Sequence, residues 1–450
     1  MKIVQVIARE VLDSRGRPTV EAEVLLDSGA HGWAIVPSGA STGKAEACEL
    51  RDGDAERYDG QGVLKAVNHI RNVIAPAVRD MDPTEQAALD ARLLELDGTA
   101  QKTNLGANAL LAVSLANAHA AAAGREMPLF RHLHALFNAA LGKTPELSGA
   151  GDIPRPAGNL AANSNRLAMP VPMTNMISGG LHAGGKIDFQ DFLVMPLGGS
   201  SYRQQLEWIV RVYRRLGKRL AEGNYESALV GDEGGYGPRL ASAEAALELV
   251  VAAIEDAGLT PGGQMAITLD VASTHFYDGS HYRLQHSDRA AWGAAEMIDY
   301  LAQLAERFPM VSIEDGLAEE DWSGWTELTA RLGGKVWLVG DDLFTTNPAR
   351  LRQGVEQQAA NAVLIKVNQI GTLSETFDTL ALARRAGLLP VVSARSGETE
   401  DTTIADLAVA AGAPIIKIGS IVRSERLAKY NRLLRIEEEL EQSDGWASQS

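Results

Sequence analysis

Val, Ile and Leu concentrate in three segments at the start of the chain, 2–11, 18–27 and 31–37. The breaks between them, Asp13-Ser14-Arg15-Gly16 and Asp27-Ser28-Gly29, carry turn chemistry. Together they predict an antiparallel meander of three strands. The apolar period then becomes helical at about 62–78, 84–96, 106–123 and 128–138. Strands followed by helices predict a small α+β domain over 1–138. Residues 139–168 lose the period. The stretch TPELSGAGDIPRPAGNLAANSNR within them is rich in Gly, Pro, Ser and Asn and reads as a linker or long surface loop.

From 169 to 440 short apolar runs alternate with helical segments. The runs are 169–176, 189–196, 228–233, 265–270, 310–315, 336–342, 362–369, 389–395 and 414–420; the helical segments include 202–221, 240–257, 289–306 and 371–386. Repeated strand–helix units predict a parallel α/β barrel, with 441–450 left as a C-terminal tail. Charged residues gather at the C-terminal ends of the runs: Glu233, Asp270, Glu314, Asp341, Lys366, Arg395 and Lys417. In a barrel those ends form the face that carries active sites.

A length of 450 residues fits two domains, and 45% hydrophobic residues is a globular composition. No run reaches the roughly 18 uninterrupted apolar residues of a membrane span. The nearest, Ala107–Ala123, is broken by Asn108, Ser114, Asn117 and His119. A single cysteine, Cys48, allows no internal disulfide and fits a reducing cytoplasm. The formal charge of −16 repels nucleic acid and anionic membranes, so neither is expected as a partner. An anionic substrate must therefore be met by metal ions or by clustered Lys and Arg.

Asp270, Glu314 and Asp341 each end an apolar run, in ITLD, VSIE and LVGD. Taken alone, each is equally a helix N-cap or a satisfied strand-end acid. Three acids converging on one barrel mouth repel one another without a cation, and an oxygen donor set suits Mg²⁺. Lys366, ending AVLIK, is either an ion-pair partner of those acids or a general base whose pKa burial and nearby cations would lower. Lys417, ending IIK, could bind a carboxylate or phosphate. GDEGG (231–235) and Gly39-Ala40-Ser41-Thr42-Gly43 are weak signals singly; the second could be a mobile lid or a plain loop.

The combination is more specific. VLDSRGRPTVE, VPSGASTG, ELRDGD, NLGANALLAVSLA, GDEGG, SIED, VGDDLFTTN, LIKVNQIGTLSET, RSGETED and RSERLAKYNRLLRIEEEL occur in this order, from about residue 3 to 440. The chain resembles the enolase family. That resemblance implies an α+β cap followed by an eight-stranded α/β barrel whose first strands run in an unusual order. It implies Mg²⁺, as two ions, with Asp270, Glu314 and Asp341 as ligands and Ser41 in a lid that helps hold the second ion. It implies Lys366 as proton-abstracting base, assisted by Glu233. Lys417 would meet the substrate carboxylate, and Arg395 and Ser396 the phosphate. His182 matches a mobile-loop histidine and Gln190 a substrate-site glutamine. The expected substrate is a phosphorylated three-carbon acid, and the expected assembly a homodimer or higher homo-oligomer with segments around Arg9 and Glu425 near the interface. A lysine base with Mg²⁺ is the established pattern of enolase-superfamily sites.

The sequence also departs from the family. Enolases read S-H-R-S-G-E-T-E-D where residues 393–401 read SARSGETED, so Ala394 replaces a histidine at the reacting end. Q-E-F has become Gln190-Asp191-Phe192, S-E-F has become Thr274-His275-Phe276, and SIEDP has become SIEDG with Gly316. The loop after His182 gains Gly184-Gly185, and 139–168 looks longer than the family's connection. If these positions line the substrate, the pocket has gained room and lost negative charge. That pattern is similar to what a carboxyphosphonoenolpyruvate synthase should show, a relative that takes a second, CMP-linked phosphonate substrate in phosphonate biosynthesis. On this reading Asp191 joins Lys366 and Glu233 among the catalytic residues, and 139–168 covers the second substrate. The alternatives are an orthodox enolase, which converts 2-phosphoglycerate to phosphoenolpyruvate and water, and a non-catalytic scaffold.

Overall fold

The structure is a computed structural model that describes residues 1–39, 43–145, 153–156, 166–185, 187–285 and 291–447, with side chains through 442. Strands β1 (Ile3–Leu12), β2 (Pro18–Leu26) and β3 (His31–Ile35) pair antiparallel in the order β1-β2-β3. Along β2, Val20, Ala22, Val24 and Leu26 point into the core while Glu21 and Glu23 face outward and hold Arg9 of β1. The period-2 pattern thus fixes which face packs.

Helices follow: α1 (Leu64–His69), a π turn (Ile70–Ile74), α2 (Ala75–Val78), α3 (Gln86–Asp97), α4 (Ala107–Gly124) and α5 (Leu129–Lys143). The π turn immediately precedes Pro76, whose missing N–H and bulky ring disrupt a regular helical ladder. The alanine-rich α4 is buried on nearly every side. A Cβ on Gly32 of β3 would meet the Ala120 nitrogen at 2.1 Å, so glycine and alanine let the sheet lie directly on the helix. On its other side α4 reaches the barrel domain, where Ser114 Oγ accepts the Leu373 N–H at 3.0 Å. Small side chains allow such contact on all faces.

The second domain closes a barrel of eight strands. These are β4 (Val171–Ser178), β5 (Asp191–Pro196), β6 (Met265–Asp270), β7 (Met310–Glu314), β8 (Trp337–Gly340), β9 (Ala362–Ile365), β10 (Leu389–Ser393) and β11 (Ile415–Gly419). They neighbour in the order β10-β11-β4-β5-β6-β7-β8-β9. Their interior is filled by Met173, Leu193, Trp337, Leu364, Val391 and Ile415, so the barrel is a packed core. Helices α6 (Tyr202–Glu222), α7 (Ala243–Asp256), α8 (Ala294–Arg307), α9 (Trp322–Leu332), α10 (Pro348–Gln357), α11 (Val367–Ile370), α12 (Leu373–Arg385), α13 (Thr403–Ala410) and α14 (Ser424–Ala447) complete it. Among the described residues no helix is long and apolar enough to cross a membrane.

Three expectations change. The barrel is not wholly parallel, as the apolar pattern alone predicts, but has the unusual start that the resemblance implies: β5 runs antiparallel to both β4 and β6. Among the described residues of 179–190 there is a 3-10 turn, Gly180–Ala183, and no crossover helix of the kind a parallel pair needs. The run 228–233 is not a barrel strand but a loop held by a bridge between Val230 and Tyr236. Helix α5 extends to Lys143, keeping Leu141 in its buried stripe, and α14 continues through Ala447, so neither the linker nor the tail begins where the pattern fades. Of the segment 139–168, residues 146–152 and 157–165 lie outside the described residues, and 153–155 dock away from the C-terminal strand ends. Ile153 is buried, the Pro154 carbonyl accepts from Asn361 Nδ2 at 3.0 Å, and Arg155 Nη2 donates to the Ala386 carbonyl at 2.9 Å. These partners precede β9 and β10, at the opposite mouth of the barrel.

Candidate active site

Strand register assembles the site. Asp270 pairs with Glu314 across β6 and β7, and Glu314 pairs with Val339 of β8, two residues before Asp341. Ser393 pairs with Lys417, and Lys366 follows directly on Ile365, the partner of Val392. All lie at the C-terminal ends of their strands. A narrow cleft opens there. Asp270, Lys366 and Lys417 line it from the strands, His182, Gln190 and Glu233 from the loops, and Arg395 and Ser396 at one end. A larger groove between α6 and α14 is lined by arginines and aliphatic side chains on the outer surface; it contains neither a lysine nor a cluster of acids.

Each strand-end acid meets an amine. Lys417 Nζ lies 2.7 Å from Asp270 Oδ2 and 2.7 Å from Glu314 Oε2. Lys366 Nζ donates to Asp341 Oδ2, while Gln369 Nε2 donates to Asp341 Oδ1 at 2.9 Å. Burial and the neighbouring Asp270 push the Glu314 carboxyl well above the usual range. Burial opposes the charge on Lys417, but Asp270 and Glu314 outweigh it and raise the ammonium well above its ordinary value. Two effects oppose each other at Lys366. Burial lowers its pKa, but Asp341 at hydrogen-bond distance raises it more, so the net direction is upward.

The loop side is a second buried network. His182 Nδ1 lies 2.7 Å from Asp191 Oδ2, and Asp191 Oδ1 accepts from Asn175 Nδ2 and from Ser178 Oγ at 3.0 Å. Burial disfavours the imidazolium, but Asp191 and Glu233 overcome it and push His182 up to about 9. The glycines of 231–235 bring Glu233 here. Gly234 has φ +92°, and a Cβ on Gly235 would lie 2.7 Å from Asn175 Oδ1, so only glycine lets this loop rest on β4. Glu233 Oε2 and Gln190 Oε1 are buried acceptors with no hydrogen-bond partner among the described residues. Such atoms cost roughly 1–3 kcal/mol each when left unsatisfied.

The donor chemistry fits a hard divalent cation. Asp270, Glu314 and Asp341 stand on three neighbouring strands, all offering carboxylate oxygen, with Asp315, Asp341 and Asp342 within 4.8 Å of one another beside them. His182, Asp191 and Glu233 form a second such group. Asp315 carries no role in the sequence reading, yet its carboxylate accepts the N–H groups of Asp341 and Asp342 at 2.9 Å each, fixing the turn that presents Asp341. Gln369, Asn368 and Glu46 were also passed over. The first two follow Lys366 directly in VNQ, and that adjacency was the only signal. Ser41 lies outside the described residues.

The departures separate clearly. Ala394 lines the cleft, and its N–H donates to the Lys417 carbonyl at 2.8 Å. Asp191 sits behind His182, fully buried. Gly316 does not face substrate: a Cβ there would meet Leu301 and Leu328 in the helical layer. Gly184 and Gly185 have positive φ in open space, and His275 is exposed on the turn Ser273–Phe276. Of the substitutions expected to enlarge the pocket, Ala394 alone opens directly onto it.

The N-terminal domain model of enolase matches residues 3–133, and the model of the enolase C-terminal TIM barrel domain matches 166–450. These boundaries coincide with the sheet-and-helix domain and with the barrel whose second strand is reversed, and on that evidence the chain belongs to the enolase family.

Proposed function

We propose that this chain is a divergent enolase-family enzyme that removes the proton beside the carboxylate of a 2-phosphoglycerate-type acid. Family members are in general Mg²⁺-dependent and act on phosphorylated three-carbon acids. The observation that carries the reading is the pair of amines across the strand-end acids: Lys366 on Asp341, and Lys417 on Asp270 and Glu314. One amine can take a proton while the other faces the carboxylate whose charge grows.

Asp270, Glu314 and Asp341 would hold Mg²⁺, with Ser41 joining for a second ion. When bound, the ions supply positive charge to the substrate carboxylate as its second negative charge builds. Lys366 would take the proton as its neutral amine, once a cation on Asp341 relieves the ion pair that otherwise holds the lysine charged. Glu233 assists departure of the group on the next carbon, with His182 held charged beside it by Asp191. Lys417 orients the carboxylate, Gln190 offers an unpaired carbonyl oxygen, and Arg395 and Ser396 receive the phosphoryl group. We place the enzyme in the cytoplasm as a homodimer or larger homo-oligomer. A scaffold has no use for two lysines buried among acids, which counts against the non-catalytic reading. The test is incubation with 2-phosphoglycerate and Mg²⁺; phosphoenolpyruvate should form, more slowly than in enzymes with histidine at position 394.

One observation favours a second reading. Ala394 lines the cleft together with Lys366 and Lys417, and its methyl group stands where the family places a histidine. The smaller side chain suits the phosphonate end of a CMP-linked phosphonate, as in a carboxyphosphonoenolpyruvate synthase. Supplying CMP-phosphonoformate with either three-carbon acid and Mg²⁺, followed by phosphorus NMR, tests it. CMP release with a new phosphonate signal supports transfer; brisk interconversion of 2-phosphoglycerate and phosphoenolpyruvate without CMP release returns the enzyme to orthodox enolase.

A further inference from the structure

Glu46 belongs to the N-terminal domain, in the irregular segment after β3, yet its carboxylate lies at the barrel mouth. Its Oε2 accepts from Arg395 Nη1 at 3.0 Å and its Oε1 from Arg395 Nη2 at 3.3 Å. Both side chains are almost wholly shielded from solvent, with 4% and 7% of their surface exposed for Arg395 and Glu46. Asn368 Oδ1 accepts from Arg395 Nη1 at 2.9 Å. Glu46 Oε1 also accepts the Gly43 N–H at 3.1 Å and Gln369 Nε2 at 3.3 Å. Gln369 Nε2 in turn reaches Asp341.

We propose that Glu46 is a positioning residue that fixes the plane and direction of the Arg395 guanidinium, and so sets the affinity of the site for a phosphoryl group. A two-point fork between carboxylate and guanidinium determines orientation as well as charge. Arg395 stands close enough to Lys366 for their charges to oppose one another. Without Glu46 the guanidinium keeps Asp341 and Glu49 as counter-charges but loses the carboxylate that it meets at two points, and it turns away from the cleft. Because Glu46 also holds Gly43 and Gln369, one carboxylate links the cap domain, the phosphate end of the cleft and the support of Asp341. The inference rests on the reading of Arg395 as the phosphate-binding group.

The test measures binding of 2-phosphoglycerate and of D-glycerate, which lacks the phosphoryl group, to the full chain with Mg²⁺ by calorimetry. Glu46→Gln keeps the size of the side chain and one acceptor; Glu46→Ala removes both. Affinity for 2-phosphoglycerate should fall roughly tenfold in Glu46→Gln and further in Glu46→Ala, with affinity for D-glycerate falling much less. Where turnover is measurable, KM should rise while kcat changes less. Equal loss for both ligands would make Glu46 structural only, and unchanged or tighter binding of 2-phosphoglycerate would overturn the proposal. Should Glu46→Ala fail to fold, Glu46→Gln decides. Arg395→Lys separates the two levels. If it binds 2-phosphoglycerate as wild type does, the phosphate-site reading itself fails. If it weakens binding while Glu46→Gln does not, only the role of Glu46 fails.

Discussion

His182 Nδ1 lies 2.7 Å from Asp191 Oδ2, and the aspartate is fully buried behind the imidazole. The shorter acid at this position therefore still reaches a partner at the cleft, and its second oxygen is held by Asn175 and Ser178. The aspartate thus keeps a charge pair with a residue that lines the cleft.

Asp191→Asn should lower the His182 pKa from about 9 toward its ordinary 6.5, because the strongest opposing charge is lost. The sign follows from linkage: a raised folded-state pKa gives stabilisation that is present below pH 6.5 and lost as pH rises through about 9. Wild-type activity should therefore hold through neutral pH and decline near 9, with that limb shifted to lower pH in Asp191→Asn. Overlapping pH profiles from pH 6 to 10 would remove His182 from the working machinery.

Glu314→Gln should abolish turnover and weaken Mg²⁺ binding by more than about 100-fold while the fold survives. Glu314 meets Asp270 through the shared Lys417. Calorimetric Mg²⁺ titration beside far-UV circular dichroism checks both halves; full wild-type activity in excess chelator contradicts the metal assignment.

Ala394→His should raise dehydration of 2-phosphoglycerate by about 10- to 100-fold, since it restores a polar group and proton carrier at the cleft wall. Steady-state kinetics of the two proteins decide. A wild type already as fast as enolases with the histidine, and indifferent to its return, means that Ala394 limits nothing.

Much of the architecture was legible because the apolar period changes where the elements do. The strand-end acids and lysines were legible because each closes an apolar run. What failed had a three-dimensional cause. The reversal of β5 depends on a short return that leaves no period of its own. The run 228–233 is apolar and ends in an acid, as a strand would be, but its glycines fold it onto β4. Gly316 sits beside a site residue in sequence but packs against the helical layer, whereas Asp191 backs His182 at the cleft, and no spacing rule separates the two cases. Glu46 and Asp315 act through contacts with residues far along the chain. The pKa of Lys366 depends on which acid reaches it, which only geometry settles.

His132 gives an independent test of packing. It is fully buried in α5, and neither ring nitrogen has a hydrogen-bond partner among the described residues. Burial, with Arg125 adding to it, pushes its pKa down to about 4. A depressed histidine favours the unfolded state once protonated. Its stabilising neutrality is complete above pH 6.5 and is lost as pH falls toward 4, amounting to about 3 kcal/mol at the acid end. Denaturant melts of wild type and His132→Leu should converge at neutral pH and separate between pH 6.5 and 4, the variant being the more stable. Parallel curves across that range would show that the imidazole finds water or a partner.

The central claim is proton abstraction by Lys366 from a phosphorylated three-carbon acid. Its most direct measure is exchange of the C2 proton of 2-phosphoglycerate with deuterated water, followed by proton NMR with Mg²⁺ present, in wild type and in Lys366→Ala. The expected result is exchange or phosphoenolpyruvate formation in wild type and neither in the variant. Equal exchange in both proteins, or none in wild type, would contradict the account.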